Sequence, residues 1–193
     1  MPSRQVVFIR HGEKDGDDCV HLSAVGRARA DLLPDYLLHP FGEFEQPDKV
    51  YVMSVPGPGR HSQRCFETVA PTLARGVPFE VVPRSKSAEL VERLRQGRGS
   101  VLVCWEHTRI VDLVNRLAEN TNDFVHQWGL NPAPDQQQQI DQGRACFDAT
   151  WVCEVPDGPG IDLRVYRQFD VDNRTLLPVW RSPRTKLWFH AIA

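Results

Sequence analysis

At 193 residues the chain has the length of one ordinary domain, enough to bury a substantial core, and residues 1–193 are expected to form a single such unit. Its 41% hydrophobic and 25% charged residues are the balance of a folded globular protein, and no apolar run is long enough to span a bilayer. A net charge of -2 offers no overall attraction to nucleic acid or to an anionic membrane surface, so any anion site must be built locally from a few placed cations.

The first strand is expected at Val6-Val7-Phe8-Ile9, and the residues before it carry no charged-then-apolar leader, which argues against export. Further apolar, β-rich runs at residues 50–53, 79–82 and 101–104 read as buried strands, each followed by room for a helix. A first helix fits from Ser23, a capping residue, through Val25, Ala28, Leu32, Tyr36 and Leu37, with Pro34 expected to kink it or end it early. Other helices fit residues 63–75, 88–95 and the stretch after His107, where Ile110, Val111, Val114 and Leu117 make an apolar stripe. This βαβα order predicts a three-layer α/β/α sandwich around a mostly parallel sheet.

Beyond Asn120 the pattern weakens into Pro- and Gln-rich sequence that reads as loop or polar helix. Strand character returns at residues 151–155 and 163–169 around Asp157-Gly158-Pro159-Gly160, which predicts a late antiparallel strand pair. The five cysteines, Cys19, Cys65, Cys104, Cys146 and Cys153, cannot all pair within one chain, and none lies in a C-x-x-C unit. A reduced, cytoplasmic setting is the expectation.

The densest chemical signal is Phe8-Ile9-Arg10-His11-Gly12-Glu13-Lys14, where an apolar strand stops at a cation, an imidazole and a glycine. The carboxyl end of a parallel strand is where open α/β sheets bind ligands, so His11 is placed to attack one. A backbone carbonyl near Gly12 could fix the proton on one ring nitrogen and leave the other as nucleophile. Arg64 opens the helix after the second strand, and His107 follows Cys104-Trp105-Glu106 at the end of the fourth. Taken singly, Arg64 reads equally well as a surface residue and His107 as a helix-start or core imidazole; their joint placement at strand ends carries the signal.

The set Arg10-His11-Gly12-Glu13, Leu22-Ser23-x-x-Gly26-x-x-Arg29, Arg64-x-x-x-Thr68 and strand-terminal His107 resembles the histidine phosphatase superfamily, which also contains phosphoglycerate mutases. The resemblance runs over about residues 6–118 in consistent order. It implies that His11 is the nucleophile, that Arg10, Arg64 and His107 hold phosphoryl oxygens, and that Lys14 falls where some members place a further phosphate-contacting cation. It also implies a Glu as proton donor between the Arg64 helix and His107, for which Glu89 is the first choice and Glu106, beside His107, the competitor. Glu106 is otherwise expected to touch substrate.

Two departures stand out: the insertion Val55-Pro56-Gly57-Pro58-Gly59-Arg60-His61, which either shapes the mouth of the site or is an idle loop, and Trp105-Glu106, where small residues are usual. The Trp105-Glu106 pair is expected either to narrow the pocket or to recruit an unusual acid. No cofactor and no metal are implied, since phosphoryl transfer asks mainly for positioning and charge neutralisation. The expected function is hydrolysis of phosphate monoesters, on a small molecule or a phosphoprotein, through a phosphohistidine at His11. A mutase, or a phosphate-recognition module without an effective acid, are the alternatives, and oligomeric state is not legible.

Overall fold

Four apolar runs form the parallel centre of a sheet in the computed structural model: β1 (Arg4–Arg10), β2 (Lys49–Ser54), β3 (Phe79–Pro83) and β4 (Val101–Trp105). The residues described are 4–15, 19–38, 45–54, 63–118, 149–156 and 161–167, together with 169–170 and 175–176. Two later strands, β5 (Ala149–Val155) and β6 (Asp162–Arg167), continue the sheet in the order β3-β2-β4-β1-β5-β6. Both of their pairings are antiparallel, β5 beside β1 and β6 beside β5, which is the late strand pair read from the sequence. The small strands β7 (Phe169–Asp170) and β8 (Thr175–Leu176) pair separately.

Helices α1 (Ala24–Leu38), α2 (Arg64–Leu73), α3 (Ser87–Gln96) and α4 (His107–Leu117) follow the parallel strands, with α1 packed on α2 and α3 on α4. The chain moves from β1 to β2 to β3 in one direction and then turns back to β4. With right-handed crossovers that reversal puts α3 on the face opposite α1 and α2, which gives the three-layer sandwich. The neighbours β1 and β4 therefore send their chains to opposite faces, and the carboxyl ends of these two strands bound the crevice where such sheets bind ligands.

Because both faces of β1 and β4 are covered, their whole sequences are buried, Arg4 and Arg10 included. Phe8, Ile9, Leu102, Trp105 and Leu113 lie at the centre of the core. On α4 the buried positions are Ile110, Leu113, Val114 and Leu117, spaced i, i+3, i+4, i+7, while Val111 lies at the margin of the stripe expected for it. Each such side chain stabilises the fold by roughly 1.5 to 3 kcal/mol relative to exposure.

Two expectations need correction. The run at residues 79–82 is a strand but not a buried one: β3 is the sheet's edge, and Phe79 and Val81 are 48% and 46% exposed. Pro34 does not end α1 early, because Leu33, Pro34, Tyr36 and Leu37 are all buried and their packing holds the last turn despite the missing backbone donor. Residues 55–62, 119–148 and 157–160, which include Arg60, His61 and the Gln-rich run, lie outside the described residues.

Candidate functional site

His11 leaves the carboxyl end of β1 in the register Arg10↔Trp105, so the chains that follow β1 and β4 emerge side by side at one level of the sheet. The imidazole is only 3% exposed, and its Nδ1–H donates to the Gly12 carbonyl at 2.8 Å. That bond fixes the proton on Nδ1 and leaves the lone pair on Nε2. Burial, opposed by the Gly12 hydrogen bond and reinforced by the charges of Arg10, Arg64 and His107, pushes the His11 pKa down to about 3. The ring is thus neutral and nucleophilic through the whole physiological range. Burial is the largest of these causes.

The quoted motifs explain themselves as the frame of this loop. Ser23 caps α1, its hydroxyl accepting the Gly26 N–H at 3.1 Å, and its own N–H donates to the Glu13 carbonyl at 2.9 Å. Gly26 lies so close beneath the loop that a Cβ there would stand 2.3 Å from the Glu13 carbonyl oxygen, and a Cβ on Gly12 would in turn meet the Gly26 oxygen at 2.9 Å. Only glycine permits that approach. The Glu13 carboxylate takes the buried Arg29 guanidinium in a forked pair, with Nε at 2.9 and 3.0 Å from the two oxygens. The loop carrying His11 is thereby bound to α1 at backbone and side chain.

From the other side, Thr68 of α2 accepts the Gly12 N–H at 2.8 Å while its hydroxyl donates to the Arg64 carbonyl at 2.7 Å. One turn of helix separates the two residues, so the Arg64-x-x-x-Thr68 spacing lets a single helix present the guanidinium and fasten the loop. The start of α2 is held in turn by Gln63, whose N–H reaches the Val20 carbonyl at 3.1 Å, and by Glu67, which accepts the Leu22 N–H at 2.8 Å and pairs with His21. Arg29 and Thr68 had no role assigned from sequence; fixed spacing within each motif was the signal available.

Arg10, Arg64 and His107 come from β1, α2 and α4, and all three bear electrostatically on His11. The structure brings these four residues together. Lys14 is half-buried on the same loop. Glu106 immediately precedes α4 beside His107, without a side-chain bond to the helix N-terminus, and its carboxylate is paired with Arg84 at 2.9 Å. Glu89 is not gathered into this group: it lies on α3 with 55% of its side chain exposed, pairing with Lys86 at 3.2 Å and with Arg93 at 4.0 Å. Trp105 does not narrow an open pocket either, being fully buried as part of the core. Behind the site Cys65 and Cys104 are both buried in the core, and burial and the neighbouring Cys65 push the Cys104 thiol up, away from the reactive thiolate. Among the described residues no group of three or more His, Cys, Asp or Glu is arranged to hold a metal, and no helix is long and apolar enough to cross a membrane.

No family model and no curated protein matches the chain. Among solved structures, a phosphoglycerate mutase from Plasmodium falciparum is 15% identical and covers 98% of this chain and 100% of its own, with a TM-score of 0.51. A candidate phosphohistidine phosphatase, SixA from Nakamurella multipartitia, is 16% identical over 86% of this chain and 96% of its own, with a TM-score of 0.49. The first likeness shows that the chain has a fold like that of this phosphoglycerate mutase.

Proposed function

We propose that the protein hydrolyses phosphate monoesters through a phosphohistidine formed on His11. The observation that carries this reading is an imidazole, buried and held neutral with its proton on Nδ1, on which the charges of Arg10, Arg64 and His107 bear. Nε2 attacks phosphorus, the ester oxygen leaves with the bonding pair, and the phosphoryl oxygens are held by forked guanidinium donors and by the His107 ring. Water then attacks the phosphohistidine, returning His11 and inorganic phosphate. Preorganised cations where charge develops are the main contribution a protein makes to this chemistry.

The departing oxygen takes a proton when the leaving group is strongly basic. Glu89 and Glu106 are the carboxylates proposed for that role, and Glu89 would have to leave its pairs with Lys86 and Arg93 to serve it. Esters with weakly basic leaving groups need no donor, and they are the substrates on which the reading is first tested. A panel of aryl phosphates should be hydrolysed by the wild-type chain and not by His11→Ala. Equal turnover by the two proteins would refute the proposal. Replacing Glu89 and Glu106 by Gln, one at a time, should then slow only alkyl esters, and the slower variant identifies the donor.

A further inference from the structure

Two thiols lie behind the phosphoryl site and take no part in the chemistry proposed for it. Cys65 is the second residue of α2, next to Arg64, and Cys104 is the penultimate residue of β4, three residues before His107. Register sets Cys104 between Ile9 of β1 and Val52 of β2, and α2 packs on β2 and β4. Both side chains are fully buried, and neither cysteine is in a disulfide. The two thiols are hydrogen-bonded to each other, and the bond keeps the proton on Cys104, which makes Cys104 the donor and the Cys65 sulfur the acceptor.

The pair therefore joins two elements that carry cations of the site. A covalent bond holds two sulfurs closer than a hydrogen bond between thiols does, so a disulfide here draws the first turn of α2 toward β4 and moves Arg64 with it. A shift of about 1 Å in a positioning group is enough to cost much of the rate. Oxidant reaches Cys65 by local opening of that turn. Gln63, at the N-cap of α2, makes no side-chain cap bond, and the turn is fastened instead by Glu67 to the Leu22 N–H and to the exposed His21.

We propose that Cys65 and Cys104 are a thiol switch on the phosphoryl site, joined as a disulfide by a hydroperoxide and reopened by a thiol reductant. The Cys65 sulfur takes an oxygen from hydrogen peroxide, which releases water and leaves a sulfenic acid. The Cys104 sulfur then attacks the Cys65 sulfur, and its proton departs with the displaced hydroxyl as a second water, so that the dithiol is oxidised and the peroxide reduced. The disulfide stands independently of the phosphatase reading above; its effect on turnover rests on that reading.

In the test, the wild-type chain is treated with hydrogen peroxide, remaining thiols are blocked with iodoacetamide, and the peptides are mapped by mass spectrometry without reduction. A peptide pair joined at Cys65 and Cys104 is expected. With it, kcat/KM for an aryl phosphate should fall by about tenfold or more and recover with dithiothreitol. Cys19→Ser should behave as the wild type, whereas Cys65→Ala and Cys104→Ala should show neither the joined pair nor the reversible loss. Absence of that pair in the wild type overturns the switch, whether or not the variants fold. So does a joined pair that leaves turnover unchanged, or a reversible loss that persists in Cys65→Ala. If the untreated wild type hydrolyses no aryl phosphate, the phosphatase reading alone fails, and calorimetric affinity for inorganic phosphate takes the place of turnover. An affinity reduced by about tenfold or more in the cross-linked chain then supports the switch. An affinity unchanged by the cross-link, or absent from the wild type, overturns it.

Discussion

The two ends of the central strands handle charge in opposite ways. At the amino end, Lys49 pairs with Glu80 at 2.8 Å, Glu80 also takes Arg93, and Asp48 accepts the Ser100 N–H at 2.9 Å. Charges of opposite sign alternate there and compensate one another. At the carboxyl end, Arg10, Arg64 and His107 converge on one imidazole, and their like charges help to keep it neutral. A cluster of one sign costs stability, and the fold offsets that cost with the Glu13–Arg29 pair, the Thr68 bond to Gly12 and the close seat on Gly26. Complementary charges at the amino end serve the fold, and the cation cluster serves an anionic ligand.

That contrast can be broken from the carboxyl end first. Arg64→Ala should lower phosphatase activity by about a hundredfold or more while the protein remains folded, because it removes a preorganised donor for phosphoryl oxygens. Steady-state kinetics with circular dichroism decides it, and near-normal turnover would remove Arg64 from the site. Gly26→Ala should come next. Its new methyl group meets backbone rather than a movable side chain, so the loop must shift, at about 1 to 3 kcal/mol in stability and about tenfold or more in rate. Denaturant melts and kcat/KM read both effects together.

The imidazole itself sharpens the comparison through pH. Its folded pKa of about 3 lies below its ordinary value of 6.5, so between these values the unfolded chain binds a proton that the folded one refuses. Stability must rise with pH across that window and fall as pH drops through it. On lowering the pH from 6.5 to about 4.5, the wild type should lose about 2 to 3 kcal/mol more than His11→Gln does, as measured by urea unfolding at each pH. The smallest effect belongs to the amino end. Lys49→Met, which removes one exposed ion pair, should change stability by less than about 1 kcal/mol and leave turnover as it was.

Much of this was legible in the sequence, for reasons that particular residues show. Apolar runs that stop at Arg10 and at Trp105 mark strand ends, and Ser23 marks a helix start, because these are local signals. Contacts between distant residues were not legible. Thr68 reaches Gly12 across the packing of α2 on the β1 loop, and Arg84 meets Glu106 only because β2 lies between β3 and β4. The exposure of Phe79 and Val81 likewise follows from the position of β3 at the edge, which no composition reveals. The pairs of Glu89 with Lys86 and Arg93, three residues before and four after it, stand at helical pairing distances and were open to a local reading.

The central claim is that Nε2 of His11 takes the phosphoryl group, and a nitrogen nucleophile leaves a distinctive product, a phosphoramidate that acid hydrolyses and base spares. Reaction of the wild-type chain with a radiolabelled aryl phosphate, quenched rapidly in alkali, should give base-stable, acid-labile label. Mass spectrometry should place it on the peptide containing Arg10-His11-Gly12, with none in His11→Ala, which should also lose activity. Full activity in His11→Ala, or label on another residue, would contradict the account.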